Sequence, residues 1–466
     1  MKKLFVTTMV LVLSTFGMAL AAEEGGLEIG LDYRFRIDSL SGTVHDYSQL
    51  DINPATGMPT GTYSAVSQYD VKNDTVMMNR FGMNLKANPV EDVTMKARLV
   101  MYKLAGHQSS NPVMGQFFAD RYGATNDGTV GHVPEDSVVR VDYAYATVSN
   151  IFGAPAWFSV GRRPSTGGIP SNIRQNSEKM GTAGIPSLMV NYAFDGMTVG
   201  YAPDIAALPG AYAKICYGRG FDSGFQVDAP GAPTLRDTDF VGVNTAVYDS
   251  EKLHVELQWQ KGMNIFDAPS DAGVSTNLGD ISWIGAVVMG KVSSLNLFVS
   301  AATSKTDPNN NLTGPGGAPM AGLMYNNPAF GGVKESHSGN AIYVGGRYDI
   351  ASTGTKIGAE YNRGSKNWIS MVPAEDDLWT GKLGTRGDVI EVYVIQSLNR
   401  KPIAKKGEAF VRLGYQLYNF EYTGSNNWVG APAKISDLTT SPASGPQMLA
   451  PVDKAQDIYL TFDVRF

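Results

Sequence analysis

Residues 27–38 read Leu-Glu-Ile-Gly-Leu-Asp-Tyr-Arg-Phe-Arg-Ile-Asp. Leu27, Ile29, Leu31, Tyr33, Phe35 and Ile37 alternate with Glu28, Gly30, Asp32, Arg34, Arg36 and Asp38. A period of two is the mark of a strand, which shows opposite faces at successive residues. One face is apolar; the other carries five charges. Burying those five charges in an ordinary protein core would be very costly. A strand with lipid on one face and water on the other satisfies both.

The last residues repeat the pattern. Ile458, Leu460, Phe462, Val464 and Phe466 alternate with Asp457, Tyr459, Thr461, Asp463 and Arg465. This predicts the closing strand of an outer-membrane β-barrel. Phe466 is then the assembly signal, read by the barrel-assembly machinery, and part of an aromatic girdle. Between the two ends the alternation recurs. Phe81, Met83, Leu85 and Ala87 interleave with Arg80, Gly82, Asn84 and Lys86. Met95, Ala97, Leu99 and Met101 interleave with Lys96, Arg98 and Tyr102. Leu253, Val255, Leu257 and Trp259 interleave with His254, Glu256, Gln258 and Gln260. Shorter stretches around 342–348 and 356–362 do the same.

At the other end, Lys2 and Lys3 precede an apolar run from Leu4 to Leu20 and the small-residue site Ala19-Leu20-Ala21. This predicts a secretory signal peptide over 1–21, cleaved after Ala21 or Ala22. The remaining 22–466 are expected to form a single barrel domain. Losing the two lysines takes the formal charge from -6 to -8.

Composition agrees. Of 466 residues, 52 are Gly and 22 Tyr, and only 18% are charged. After the signal no apolar run approaches the roughly 20 residues that a membrane helix needs. A membrane protein without such runs must close its backbone hydrogen bonds between strands, as a barrel. Cys216 is alone, which excludes an intrachain disulfide framework, and no Cys-x-x-Cys-His attachment site for haem occurs. No cofactor or metal is expected. An acidic chain is a poor prospect for nucleic acid. His45, His107, His132, His254 and His337 are scattered, and no Gly-x-Ser-x-Gly elbow appears. An enzyme is not expected.

Loop lengths test the barrel independently. Long polar connections fall near 40–74, 106–136, 164–195, 220–237, 264–279, 304–338, 365–386 and 423–454. Short turns near 88–92, 149–156, 204–210, 249–252, 290–292, 350–354 and 399–407 separate them. Long outer loops and short periplasmic turns are the rule for such barrels. The fold class is therefore an all-β, transmembrane antiparallel β-barrel of about 16 strands, with 18 as the competitor. Asp195-Gly196 is placed at the end of the third long loop rather than in a hairpin turn of its own.

Alternation assigns an inward set: Arg34, Arg36, Arg80, Arg98, Arg140, Arg347, Arg412, Asp32, Glu256 and Glu360. Most of these are expected to meet lumen water. Asp376-Asp377 reads as a solvated acidic pair in a loop, with a divalent ion as the alternative.

The third loop is the most specific stretch. It runs Gly161-Arg162-Arg163-Pro164-Ser165-Thr166-Gly167-Gly168-Ile169-Pro170, then Ser171-Asn172-Ile173-Arg174-Gln175-Asn176. With Val141-Asp142-Tyr143-Ala144-Tyr145 before it and Gly181-Thr182 after it, this resembles a porin-like outer-membrane family of unknown function from iron- and sulfur-reducing bacteria. The similarity is sharp over about 135–220 and diffuse elsewhere. It implies a channel without naming a solute. The loop's position is also similar to that of the third loop of general porins, which folds inward. Carried over, this places Arg162, Arg163, Arg174, Glu178 and Lys179 at a pore constriction, whose basic surplus predicts a preference for anions.

The reading is thus an outer-membrane porin for passive diffusion of small hydrophilic solutes or ions. Expected partners are outer-membrane lipids, lipopolysaccharide, the barrel-assembly machinery and two further copies in a homotrimer. The alternative is the barrel sheath of a porin–cytochrome electron conduit.

Overall fold

Strand β1 (Glu28–Val44) carries the opening alternation and pairs antiparallel with strands from both ends of the chain. The computed structural model describes residues 26–53, 59–106, 134, 137–165, 168–177, 188–225, 235–267, 276–313, 320–398, 401 and 407–466. The signal segment lies outside them. The wall continues through β2 (Tyr69–Val90), β3 (Val93–Leu104), β4 (Arg140–Val148) and β5 (Ala156–Pro164). Next come β6 (Ala193–Tyr201), β7 (Tyr212–Phe221), β8 (Thr238–Asp249) and β9 (Leu253–Phe266). After these follow β10 (Asn277–Val292), β11 (Leu295–Pro308), β12 (Ser338–Ile350) and β13 (Thr355–Gly364). The last three are β14 (Gly387–Ser397), β15 (Glu408–Phe420) and β16 (Val452–Arg465).

Each strand bonds to its chain neighbours, and β16 returns to β1, closing an antiparallel barrel of sixteen. Closure leaves no sheet edge, as a wall in lipid requires. At the seam Phe35 faces Phe462, and the Leu31 and Phe466 backbones exchange hydrogen bonds of 2.8 and 2.9 Å. The count is sixteen, not eighteen. Long connections at one end and short turns at the other alternate as the sequence predicts.

Two boundaries differ. Asp195 and Gly196 lie inside β6, not in the third loop, because the ladder is continuous on both sides: Asp195 faces Arg162 and Arg219. Any Cβ at Gly196 would collide with the Tyr217 carbonyl oxygen, so the close approach of the strands requires glycine there. The first long loop is shorter than 40–74, since β1 and β2 run past the wall and a hairpin (Tyr47–Ile52 with Pro59–Val66) stands on them.

Facing is inverted relative to a soluble protein. The outward rows are apolar and open, with Ile215 and Ile284 60% and 61% exposed. The inward rows are polar yet buried: Arg34 is 2% exposed, and Arg36 and Glu391 1% each. Something inside the barrel covers them. It is the seventh long loop (365–386), of which residues 368–386 are buried except for half-buried Glu375, together with the described part of the third (165–192).

Candidate functional site

The inner wall has two chemistries. Toward the long-loop end it is apolar. Trp283, Phe266 and Ile281 on the strands pack with Met189, Ile369, Met371 and Trp428 from the loops. A second group joins Leu40, Met78 and Tyr102 to Leu378 and Trp379. Each buried indole N–H donates to a backbone carbonyl: Trp283 to Ile369 at 2.9 Å, Trp368 to Leu383 at 2.9 Å, Trp379 to Gln456 at 3.1 Å and Trp428 to Phe266 at 2.9 Å. The rings supply apolar burial; three of the N–H groups fix the loops at defined points on the wall, and that of Trp368 closes the seventh loop on itself.

Below this layer lies a charged one, organised by Glu375-Asp376-Asp377. Asp376 meets Arg34 directly, Arg412 at 3.6 Å and Arg36 at 3.9 Å, and it accepts a 2.7 Å hydrogen bond from the Tyr102 hydroxyl. Burial pushes its carboxyl up, but Arg34, Arg80, Arg36 and Arg412 outweigh that and hold it well below the usual carboxylate range. Asp377 accepts from Arg174 and from Gln416, both at 2.8 Å. Glu375 accepts from Gln175 at 2.9 Å and Asn191 at 3.1 Å. One acidic triplet therefore ties the seventh loop to the wall and to the third loop.

The third loop descends further. Arg412 donates to the Arg174 carbonyl at 2.8 Å. Arg347 donates to the Ile173 carbonyl, and Arg465 to the carbonyls of Gln175 and Asn176 at 2.7 and 2.6 Å. Since Arg465 is the penultimate residue, the Gln175–Asn176 stretch of the loop comes close to the short-turn end. Lys382 of the seventh loop sits between Glu360 and Glu391, which Arg174 also meets at 3.0 Å.

All ten residues of the inward set lie on inward rows, but the expectation that most meet water is corrected. Arg34, Arg36, Arg412 and Glu360 are buried against the loops, and Glu256 accepts from Asn244 and pairs with His254 at 2.9 Å. Asp32 and Arg98 pair with each other, and Arg98 also reaches Asp142 at 3.3 Å. Arg347 pairs with Asp349 at 2.7 Å. Arg80 lies over the Tyr102 ring, and Arg140 stands apart, bonded to the Val138 carbonyl. The solvated reading of Asp376-Asp377 is overturned for the same reason.

The three constriction residues that the structure describes do not converge. Arg174 is central, but Asp377 and Glu391 neutralise it. Arg162 and Arg163 are adjacent on β5, so alternation separates them: Arg163 shares a rung with buried Phe194, and Arg162 with Asp195, which is largely exposed. Glu178 and Lys179 lie outside the described residues. Among the described residues, then, Arg174 is cancelled and Arg162 is turned away, whereas Arg163 keeps its charge on the inner side. Of the residues that organise the interior, Glu375 and Lys382 are not singled out by the sequence, and Asp376 and Asp377 are singled out only as a solvated pair. Their signal was Trp368 and Trp379 in a stretch otherwise composed as an exposed loop.

These features define a membrane β-barrel whose interior is occupied by its own loops. The chain belongs to the family described as "Protein of unknown function (DUF3373)", whose model matches residues 70–466. A search of curated proteins finds no match. Among solved structures, OmpT of Vibrio cholerae in its trimer form is similar at 12% identity, TM-score 0.42, over 95% of this chain and 100% of that one. An anion-selective porin from Comamonas acidovorans is similar at 9% identity, TM-score 0.45, over 94% and 100%. Pseudomonas putida OprB is similar at 12% identity, TM-score 0.44, over 95% and 94%. The sixteen-strand architecture rests on the strand pairing itself, not on these likenesses.

Proposed function

We propose that this chain is an outer-membrane porin: a narrow, passive conduit for small hydrophilic solutes or ions, making and breaking no bonds. The observation that carries the reading is a polar-walled barrel narrowed by its own third and seventh loops. A constriction of charged groups between low-dielectric walls sets which solutes pass. The sheath reading fares worse, because a guest protein would need the space these loops fill. In this reading residues 1–21 are removed on export and 22–466 form the barrel. The long loops face outward against lipopolysaccharide, the apolar belt meets outer-membrane lipid, and the barrel-assembly machinery inserts the chain. The wall of short strands β4 to β6, nine residues each, is the face we assign to a homotrimer contact.

Planar-bilayer recording of the purified, heat-modifiable protein tests this. Discrete, low-conductance steps are expected. Folded protein that inserts but conducts no ions would overturn the porin reading.

A further inference from the structure

One part of the inner wall is not sealed by the acidic triplet. At the root of the third loop, strands β5 to β9 line a half-open cavity of about 50 Å³. Arg163, Lys214, Gln260, Thr198, Cys216 and Ser165 supply its polar lining, and among the described residues no acidic one lines it. Phe194 and Phe240, stacked with centroids 4.6 Å apart, supply its apolar side.

Two of the donors here are unspent. The Arg163 Nε is buried without a hydrogen-bond partner, and its guanidinium rests over the Tyr145 ring at 5.1 Å. The Gln260 Nε2 is also buried without a partner, although Gln260 is only 5% exposed and accepts at Oε1 from Gln258 at 2.8 Å. Lys214 brings an ammonium to the same cavity and is 3% exposed. A third cation stands next door: Lys96 is directly across from Tyr145 in the ladder and makes no hydrogen bond or ion pair among the described residues. Buried donors left unmade are costly, and neighbouring cations repel unless an anion lies between them.

We propose that Arg163, Lys214 and Gln260 form a binding site for a small inorganic oxyanion of sulfate or phosphate type. A planar guanidinium and an amide suit several oxygens on one centre better than a single halide. The cavity has room for a few water molecules, which is the scale of such an ion. Lys96 extends the positive wall toward the short-turn end. The proposal deepens the porin reading and rests on it only in placing the site along the solute path.

The test is calorimetric titration of the full chain in detergent with sodium sulfate and, separately, sodium chloride at matched ionic strength. Saturable sulfate binding at one site is expected, tighter than chloride. Arg163→Gln and Lys214→Gln should each weaken it by roughly tenfold or more. Arg219→Gln, which removes a guanidinium already clasped by Asp222, Asp237 and Asp239, should leave it unchanged. Absence of saturable binding to the wild-type chain would overturn the site even if a variant fails to fold. Chloride binding as tightly as sulfate would overturn the oxyanion assignment, and unchanged affinity in folded variants would overturn the residues. Bilayer currents separate the two readings. Binding without conductance removes the porin and keeps the site, whereas sulfate current without saturation or binding removes the site and keeps the porin.

Discussion

Asp376 shows how much one side chain can govern here. It is buried among arginines from opposite ends of the chain, Arg34 and Arg36 on β1 and Arg412 on β15. Removing one partner of a buried ion pair leaves the others uncompensated, at about 3–5 kcal/mol. Asp376→Asn is therefore expected to lower the denaturant midpoint of the heat-modifiable form by that order and to raise single-channel conductance as the seventh loop loosens. A midpoint equal to wild type would contradict the clamp. The pH dependence follows from the sign of the shift. The folded carboxyl titrates below its ordinary value of 3.8, so its contribution is complete above about pH 4 and is lost as pH falls through the lower folded value. Heat-modifiable mobility should hold from neutral pH to about pH 4 and fail only in stronger acid. A transition centred near pH 6 would assign the clamp to other groups. None of this was legible in the sequence, because Glu375-Asp376-Asp377 has the composition of an exposed loop and its partners are far away in the chain.

At the scale of elements the strands were legible and the loop paths were not. A strand states its two faces in every pair of residues, and Leu253–Gln260 gives the same answer by pattern and by exposure. Leu257→Arg and Ile284→Arg, on the outward rows of β9 and β10, should each cost about 2–4 kcal/mol near the bilayer midplane, whereas Gln258→Asn on the inward row should cost far less. Equal melting of the two sets would reject the facing. Loops carry no period, so nothing marks 365–386 as interior except its tryptophans. Even inside a strand, period two overrode the reading of Arg162 and Arg163 as neighbours in function. Replacing residues 368–384 with a short Gly-Ser link should leave the sixteen strands intact and multiply the conductance severalfold. An unchanged conductance would mean that the seventh loop does not limit the path.

For the whole molecule, closure depends on the ends. Phe466 is 53% exposed outward while its backbone joins Leu31 across the seam. Phe466→Asp sets a charge on the lipid face at the last rung, and outer-membrane levels of the heat-modifiable form should fall. Normal levels would remove the terminal residue from the assembly signal. The seam also runs over the filling. Trp379 of the seventh loop donates to Gln456 on β16, and Asp376 of the same loop grips Arg34 on β1. The seventh loop is made before β14, β15 and β16, so it can take its place while the circle is still open. The wall would then be wound on its own plug, as a sleeve on a mandrel. The last two strands to meet would find each other partly through what they enclose, and a chain that cannot seat this loop would be slow to become a cylinder at all.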